Sequence, residues 1–181
     1  YIFNTVFITA VGTAGQLLIA SMGAYVLAKY DFPGGRKLFG MITTAIMFNG
    51  AVTAIPSYLI MAKLGWLDTF IAPILPALAA PMGLFLMKQF MESIPDSLLE
   101  AAKIDGAKEW GIFTKIVMPN VKPAWLTLII FSVQNLWNNP QSTYIYSEEL
   151  KTLPYALGQV TAGGVARAGA GAAVGLFMMI V

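Results

Sequence analysis

Long stretches of this chain carry no Asp, Glu, Lys or Arg, and their lengths decide what it can fold into. A helix needs roughly 20 mainly apolar residues to cross the hydrocarbon core of a bilayer. Residues 1–28, 38–62 and 69–87 are charge-free runs on that scale. A fourth run covers residues 121–138 with Lys122 at its interfacial end, and a fifth covers residues 168–181. A closed β-barrel is the other structure that can span a membrane. Its strands would alternate apolar and polar residues, whereas these runs are continuously apolar. The sequence therefore predicts an all-α, polytopic transmembrane bundle with five spans in a single transmembrane domain over residues 1–181.

Composition supports this reading. With 57% hydrophobic residues, a mean hydropathy of +0.71 and 11% charged residues, the chain has too little polar surface to enclose a core in water. Residues 1–28 lack a basic leader and are too long for a signal-peptide core, so they read as a span. Tyr1 in place of a methionine, and Gly175 to Val181 inside an apolar run, read as a chain truncated at both ends. The basic residues form no continuous patch, so the net charge of +2 points to membrane topology rather than to a nucleic-acid partner.

Orientation follows from where Lys and Arg fall, since cytoplasmic loops carry the excess. The connection 29–37 holds Lys29, Arg36 and Lys37, and residues 88–122 hold Lys88, Lys103, Lys108, Lys115 and Lys122, together eight of eleven basic residues. Those two connections are expected in the cytoplasm. Residues 63–68 and 139–167 hold Lys63, Lys151 and Arg167 and are expected outside. Strict alternation of five helices gives the same sides. Asp31 to Gly35 form a turn, and Pro73, Pro76 and Pro81 are expected to bend the third span.

The cytoplasmic segment 91–120 is polar enough to leave the membrane and patterned enough to fold. Pro95 suits a first helical turn, and Asp96 sets a negative charge at that helix's positive end. The helix should run to about Asp105, where Gly106 permits a break. A second short helix then carries Trp110, Phe113, Ile116 and Val117 on one side, and Pro119 and Pro123 turn the chain back. Two short helices joined at a glycine make a knob suited to docking in a groove.

Glu100, Ala101, Ala102, then Asp105, Gly106, Ala107, then Ile116, Met118 and Pro119 closely resemble the EAA signature of permeases in binding-protein-dependent ATP-binding cassette (ABC) importers. That pattern is EAA, a glycine four residues on, and an I-x-L-P ending; Met118 replaces the usual leucine, a volume-conserving change. Tyr25 to Lys29, Phe32 to Gly34, Pro56, Gly65 to Asp68, and Thr152 to Pro154 look like the maltose-type (MalG-like) sugar permeases. The resemblance implies the type I importer permease fold, with the knob as a coupling element seated in a cleft of a partner ATPase. Glu100 would present its carboxylate there, Ala101 and Ala102 would allow close approach, and Gly106 would make the turn. It further implies an ATPase dimer carrying ATP and Mg, a second homologous permease, an extracytoplasmic sugar-binding protein and a multi-pass place in the cell membrane. No cofactor is expected on this chain itself.

None of the five runs contains an interior Asp, Glu, Lys or Arg, whereas proton-coupled carriers usually need an ionisable group at membrane depth. That weighs against the second reading, a self-sufficient carrier or channel for a small polar solute. Polar candidates for lining a pathway are Asn4, Thr9, Gln16, Asn49, Ser57, Thr127, Gln134 and Asn135, with Trp137, Asn138 and Asn139 at the outer end of the fourth run. An aromatic face with amides suits a sugar; an interfacial tryptophan anchor accounts for Trp137 equally well. The glycines of residues 162–175 are read as helix packing. Without Cys, His, a G-x-x-x-x-G-K-[ST] loop or a G-x-S-x-G turn, the chain is expected to be no enzyme and to hold no metal.

Overall fold

The computed structural model describes residues 1–48, 50–140, 143–163 and 168–180, and among them every regular element is helical. In chain order these are α1 (Ile2–Lys29), α2 (Gly35–Ile46), α3 (Gly50–Lys63), α4 (Ile71–Leu78), α5 (Pro81–Glu92), α6 (Asp96–Ile104), α7 (Glu109–Asn120), α8 (Lys122–Asn138), α9 (Leu153–Ala162) and α10 (Ala168–Ile180). The middle of α7, Phe113–Val117, is a π-helical turn.

The central element is α1, which packs against α4, α5 and α8. Its burial pattern is the reverse of a soluble helix. Asn4, Thr5, Thr9, Gly12, Thr13, Gln16, Ala20, Ser21 and Ala24 face inward, while Phe3, Val6, Val11, Leu18, Ile19 and Met22 are exposed. Small residues let neighbouring helices approach without a hydrophobic driving force, and large apolar side chains face lipid. At Gly12 an added Cβ would lie 2.6 Å from Leu136 of α8, and at Gly15 one would lie 2.4 Å from Leu78 of α4. A hydroxyl pair, Ser132 Oγ donating to Thr13 Oγ1 at 3.1 Å, also joins α8 to α1 in the interior.

Among the described residues two helical stretches are long and apolar enough to cross a membrane, Ile2–Lys29 and Ile71–Glu92, the latter α4 running into α5; the pair α7 and α8, bent by 79°, makes a third if counted as one broken span. The remaining expected spans differ from the length count. Residues 38–62 divide into α2 and α3, of 12 and 14 residues. Met47 and Phe48 tighten to bonds on Thr44 and Ala45, three residues back, which ends α2. Both are apolar, so the hydropathy of the run hid the stop, although Asn49-Gly50 is a turn dipeptide. Within the span Ile71–Glu92, already counted, the helix lapses only at Ala79 and Ala80, where Pro81 opens α5. α8 has 17 residues and α10 has 13.

The connections gather at two ends of the bundle, in the same two groups expected from the sequence. At one end lie the turn around Gly34, the foot of α1 and the α6–α7 knob, joined by an ion pair from Lys29 to Asp96 at 2.8 Å. At the other, the α3–α4 and α8–α9 connections are tied together. The Asp68 N–H donates to Tyr144 O at 2.8 Å, while Asp68 Oδ1 accepts from Tyr146 N, Ser147 N and Ser147 Oγ, each at 2.9 Å.

Candidate functional site

Two regions combine exposure with deliberate construction: the knob at the basic end and a cavity toward the opposite end.

In the knob, α6 begins after Pro95 with Asp96 in its first turn and Lys103 in its last, both matched to the helix dipole. It stops at Gly106, whose φ of +81° suits a residue without Cβ. The Gly106 N–H donates to Lys103 O and the Ala107 N–H to Ala102 O, the double closure of a Schellman motif. Leu99 turns inward, joining Met91, Ile94, Ile112, Phe113 and Val117 in the core. The outer side shows Glu100, Ala101, Asp105, Ala107 and Lys108, with Ile104 86% and Trp110 63% exposed. Exposed isoleucine and tryptophan amid charges make a small apolar contact surface.

The EAA residues thus lie on one knob, with two differences from the expectation. Ala101 faces outward, but Ala102 packs on the core, so its small size serves the chain's own packing. Trp110 is exposed rather than part of the buried stripe, and Ile112 is fully buried in its place. Ile112 lies four residues before Ile116, an ordinary helical spacing, while the Trp110 ring stays at the rim, 5.5 Å from that of Phe113.

Side chains of the membrane helix brace this knob. Lys29 Nζ, on a side chain only 5% exposed, donates to Ile94 O at 2.5 Å as well as to Asp96. Tyr25 Oη donates to Glu109 Oε2 at 3.1 Å, and Glu109 Oε1 pairs with Lys103 at 2.8 Å. The hydrogen bond from Lys103, then those from Tyr30 and Tyr25, hold the Glu109 carboxyl below the usual carboxylate range, and Glu109 raises Lys103 in turn. Glu109 and Lys103 drew no attention in the sequence because each looks like one more loop charge. The available signal was the run Tyr25 to Lys29.

The cavity has a volume of about 1070 Å³ and lies among α1, α4, α5 and α8. Its polar lining consists of Gln16, Ser132, Gln134, Asn135, Asn138 and Asn139, with Tyr144 and Phe131 supplying aromatic surface. No Asp, Glu, Lys or Arg is among its lining residues. Phe131, Gln134, Asn135 and Asn138 follow the i, i+3, i+4, i+7 spacing of one helical face, which was readable in advance. The structure brings Gln16, Gln134, Asn135 and Asn138 together here.

Other candidates lie elsewhere. Trp137 points off the cavity; it is 7% exposed, its Nε1–H donates to Met178 O at 3.2 Å, and it borders an apolar groove beside Val6 and Phe177. One residue along a helix rotates a side chain by about 100°, which separates Trp137 from Asn138. Asn4 holds the carbonyls of Glu149 and Lys151, and Thr127 bonds Pro123 O. Asn49 lies outside the described residues.

Comparison with known proteins adds the following. Residues 16–180 match the family model described as "Binding-protein-dependent transport system inner membrane component". The chain is 36% identical over 173 residues to protein LplC of Bacillus subtilis (strain 168), covering 89% of this chain and 58% of that protein. It is 36% identical over 156 residues to the arabinooligosaccharides transport system permease protein AraQ of Halalkalibacterium halodurans, covering 85% and 56%. It is 35% identical over 164 residues to the polygalacturonan/rhamnogalacturonan transport system permease protein YtcP of Bacillus subtilis, covering 85% and 57%. Among solved structures, a chain of a bacterial ABC transporter involved in the import of the acidic polysaccharide alginate superposes with a TM-score of 0.82 at 30% identity, covering 92% of this chain and 61% of that one. The chain therefore spans somewhat over half the length of these curated relatives.

Proposed function

Because the chain belongs to the binding-protein-dependent transport system inner membrane components, multi-pass proteins of the cell membrane, we propose that it forms one half of the translocation pathway of an ATP-driven importer for an uncharged saccharide. On this reading residues 1–181 are one transmembrane domain. The knob around Glu100 to Ala107 is the contact for a cytoplasmic ATPase dimer, which carries ATP and Mg; a second permease completes the pathway, and an extracytoplasmic binding protein delivers the sugar.

The observation that carries the proposal is the knob itself. Ile104 and Trp110 are held out from the bundle while Leu99, Ile112 and Val117 anchor it from beneath. A braced element presenting apolar side chains to water has the form of a docking surface. The cavity supports the substrate class: amides and aromatic faces match hydroxyls and C–H surfaces, and the absence of charge among its lining residues favours a neutral sugar over an acidic one.

The test is co-purification of the full-length protein from membranes in mild detergent. An ATPase is expected with the wild type. Glu100→Arg, which reverses the exposed charge, and Gly106→Pro, which breaks the turn, should each reduce recovery about tenfold or more, the effect of losing roughly 1.4 kcal/mol of binding. A wild-type protein that runs without an ATPase, even after crosslinking, would rule the reading out.

A further inference from the structure

We propose that Gln16 is the selectivity residue of the pathway, its carboxamide pairing with two neighbouring hydroxyls of a neutral saccharide held at the floor of the cavity. This deepens the importer reading above and rests on it.

Depth is the first observation. Gln16 stands midway along the 28 residues of α1, about 20 Å from either end at 1.5 Å per residue, which in a membrane is the middle of the hydrocarbon core. The polar lining on α8 descends toward the same level. Asn138 and Asn139 stand at the outer end of that helix, Gln134 and Asn135 one turn further in, and Ser132 below them. Those four amides are exposed, whereas Gln16 and Ser132 are only 6% and 5% exposed. Past Gln16, toward the knob, apolar packing takes over. Ala20, Ala24, Met87, Ala124 and Leu128 fill the space among α1, α5 and α8, and the Ser21 hydroxyl is closed onto the Leu18 carbonyl. A solute entering from the Asn138 end therefore meets Gln16 last.

The second observation is what Gln16 lacks. Ser132 gives its proton to Thr13 Oγ1, and Asn138 Nδ2 donates to the Gln134 carbonyl. The Gln16 carboxamide makes no hydrogen bond to any described residue. Its Nε2 lies against Gly83, where an added Cβ would come within 3.0 Å of it, and Gly83 is itself part of the cavity wall. A buried amide without a partner is costly, and hydrocarbon offers it none. One held at the floor of a cavity is completed by whatever enters that cavity.

The chemistry of the amide names the ligand class. A carboxamide sets N–H donors beside a carbonyl acceptor. Of two adjacent sugar hydroxyls, one can accept from Nε2 while the other donates to Oε1. A carboxylate can use the donor end alone and leaves Oε1 facing a negative charge, with no Lys or Arg among the lining residues to offset it. A site that hydrogen-bonds a hydroxyl from a buried group also rejects the analogue without that hydroxyl, since the group is then left unpaired.

The test uses the complete transporter, reconstituted with its ATPase and binding protein, and radiolabelled maltose, cellobiose, xylobiose and digalacturonate as probes. At least one neutral disaccharide should be taken up in preference to digalacturonate. With the best of them, Gln16→Met, which keeps the length and removes the amide, should raise the transport KM about tenfold or more, equivalent to roughly 1.4 kcal/mol. Monodeoxy analogues of that sugar give the decisive reading. For at least one analogue, the penalty for the missing hydroxyl should be about tenfold smaller in Gln16→Met than in the wild type, because the hydroxyl has lost its partner. The binding protein's own preference is the same in both and cancels. A residue that merely packs the bundle would leave the penalty unchanged. Recovery of the ATPase checks assembly, and Gln16→Asn, which withdraws the amide by one methylene, is read in the same way should Gln16→Met not assemble. A KM within twofold of wild type, or deoxy penalties that all persist in the variant, would overturn the role of Gln16 and leave the importer standing. A wild-type complex that takes up none of the neutral disaccharides, or digalacturonate alone, would overturn the neutral-saccharide reading and this inference together.

Discussion

At the scale of single residues, two backbone positions carry sharp consequences. Gly106 sits at φ +81°, where a Cβ costs about 1–2 kcal/mol. Gly106→Ala should therefore loosen the knob by that amount, seen as faster proteolysis between α6 and α7 with bundle stability unchanged. Asp68 adopts φ +58° and accepts three hydrogen bonds from the α8–α9 connection. The Ser147 and Tyr146 N–H groups hold its carboxyl below the normal carboxylate range. A depressed folded-state value means the stabilisation is fully present above the unfolded value of about 3.9 and is lost as pH falls through the folded one. Protease resistance of residues 143–151 should thus stay flat from pH 7 to about 4 and fail only in stronger acid. Asp68→Asn keeps an acceptor and tolerates positive φ, so it should remove that acid sensitivity; Asp68→Ala should open the connection at neutral pH. The role of Asp68 was not legible beforehand, since a positive φ at an aspartate follows from contacts 78 and 79 residues away in sequence.

At the scale of elements, helix packing depends on glycine holes filled by leucine. A Cβ at Gly15 would sit 2.4 Å from Leu78 Cδ2, so Gly15→Val should lower stability by about 1–3 kcal/mol through overpacking. The damage should be largely reversed by adding Leu78→Ala, which makes thermal unfolding of the single and double variants in detergent a direct check on the α1–α4 contact. The elements also show where reading by length falters. Apolar runs report how much chain prefers lipid, and they say nothing about where backbone hydrogen bonding stops. Met47 and Phe48 end α2 while remaining as apolar as their neighbours. The π turn in α7 likewise leaves no mark in composition.

At the scale of the whole molecule, the bundle presents an uncharged cavity near one end and a braced knob at the other. If the cavity binds saccharide hydroxyls, Gln134→Leu and Asn138→Leu in the complete transporter should raise the transport KM about three- to tenfold, the loss of one net hydrogen bond each, with ATPase recovery unchanged. Trp137→Phe should leave KM alone and cost about 1 kcal/mol of stability, because its indole N–H holds α10 rather than a ligand. This contrast separates two adjacent residues that looked equivalent as a sugar-binding pair.

The sequence by itself determined the membrane habitat, the grouping of connections at the two ends of the bundle and the turn of the knob. Each of these rests on local quantities: the length of charge-free runs, the side on which lysines fall, and a glycine that ends a short helix. Tertiary structure alone decided which polar residues meet in one cavity, that Ala102 faces inward while Ala101 faces out, and that Lys29 and Tyr25 bind the knob to α1. Those outcomes depend on partners far apart along the chain, 84 residues between Tyr25 and Glu109 and more between Gln16 and Asn138. The direction of a side chain relative to a neighbouring helix is fixed by packing, which no local pattern records.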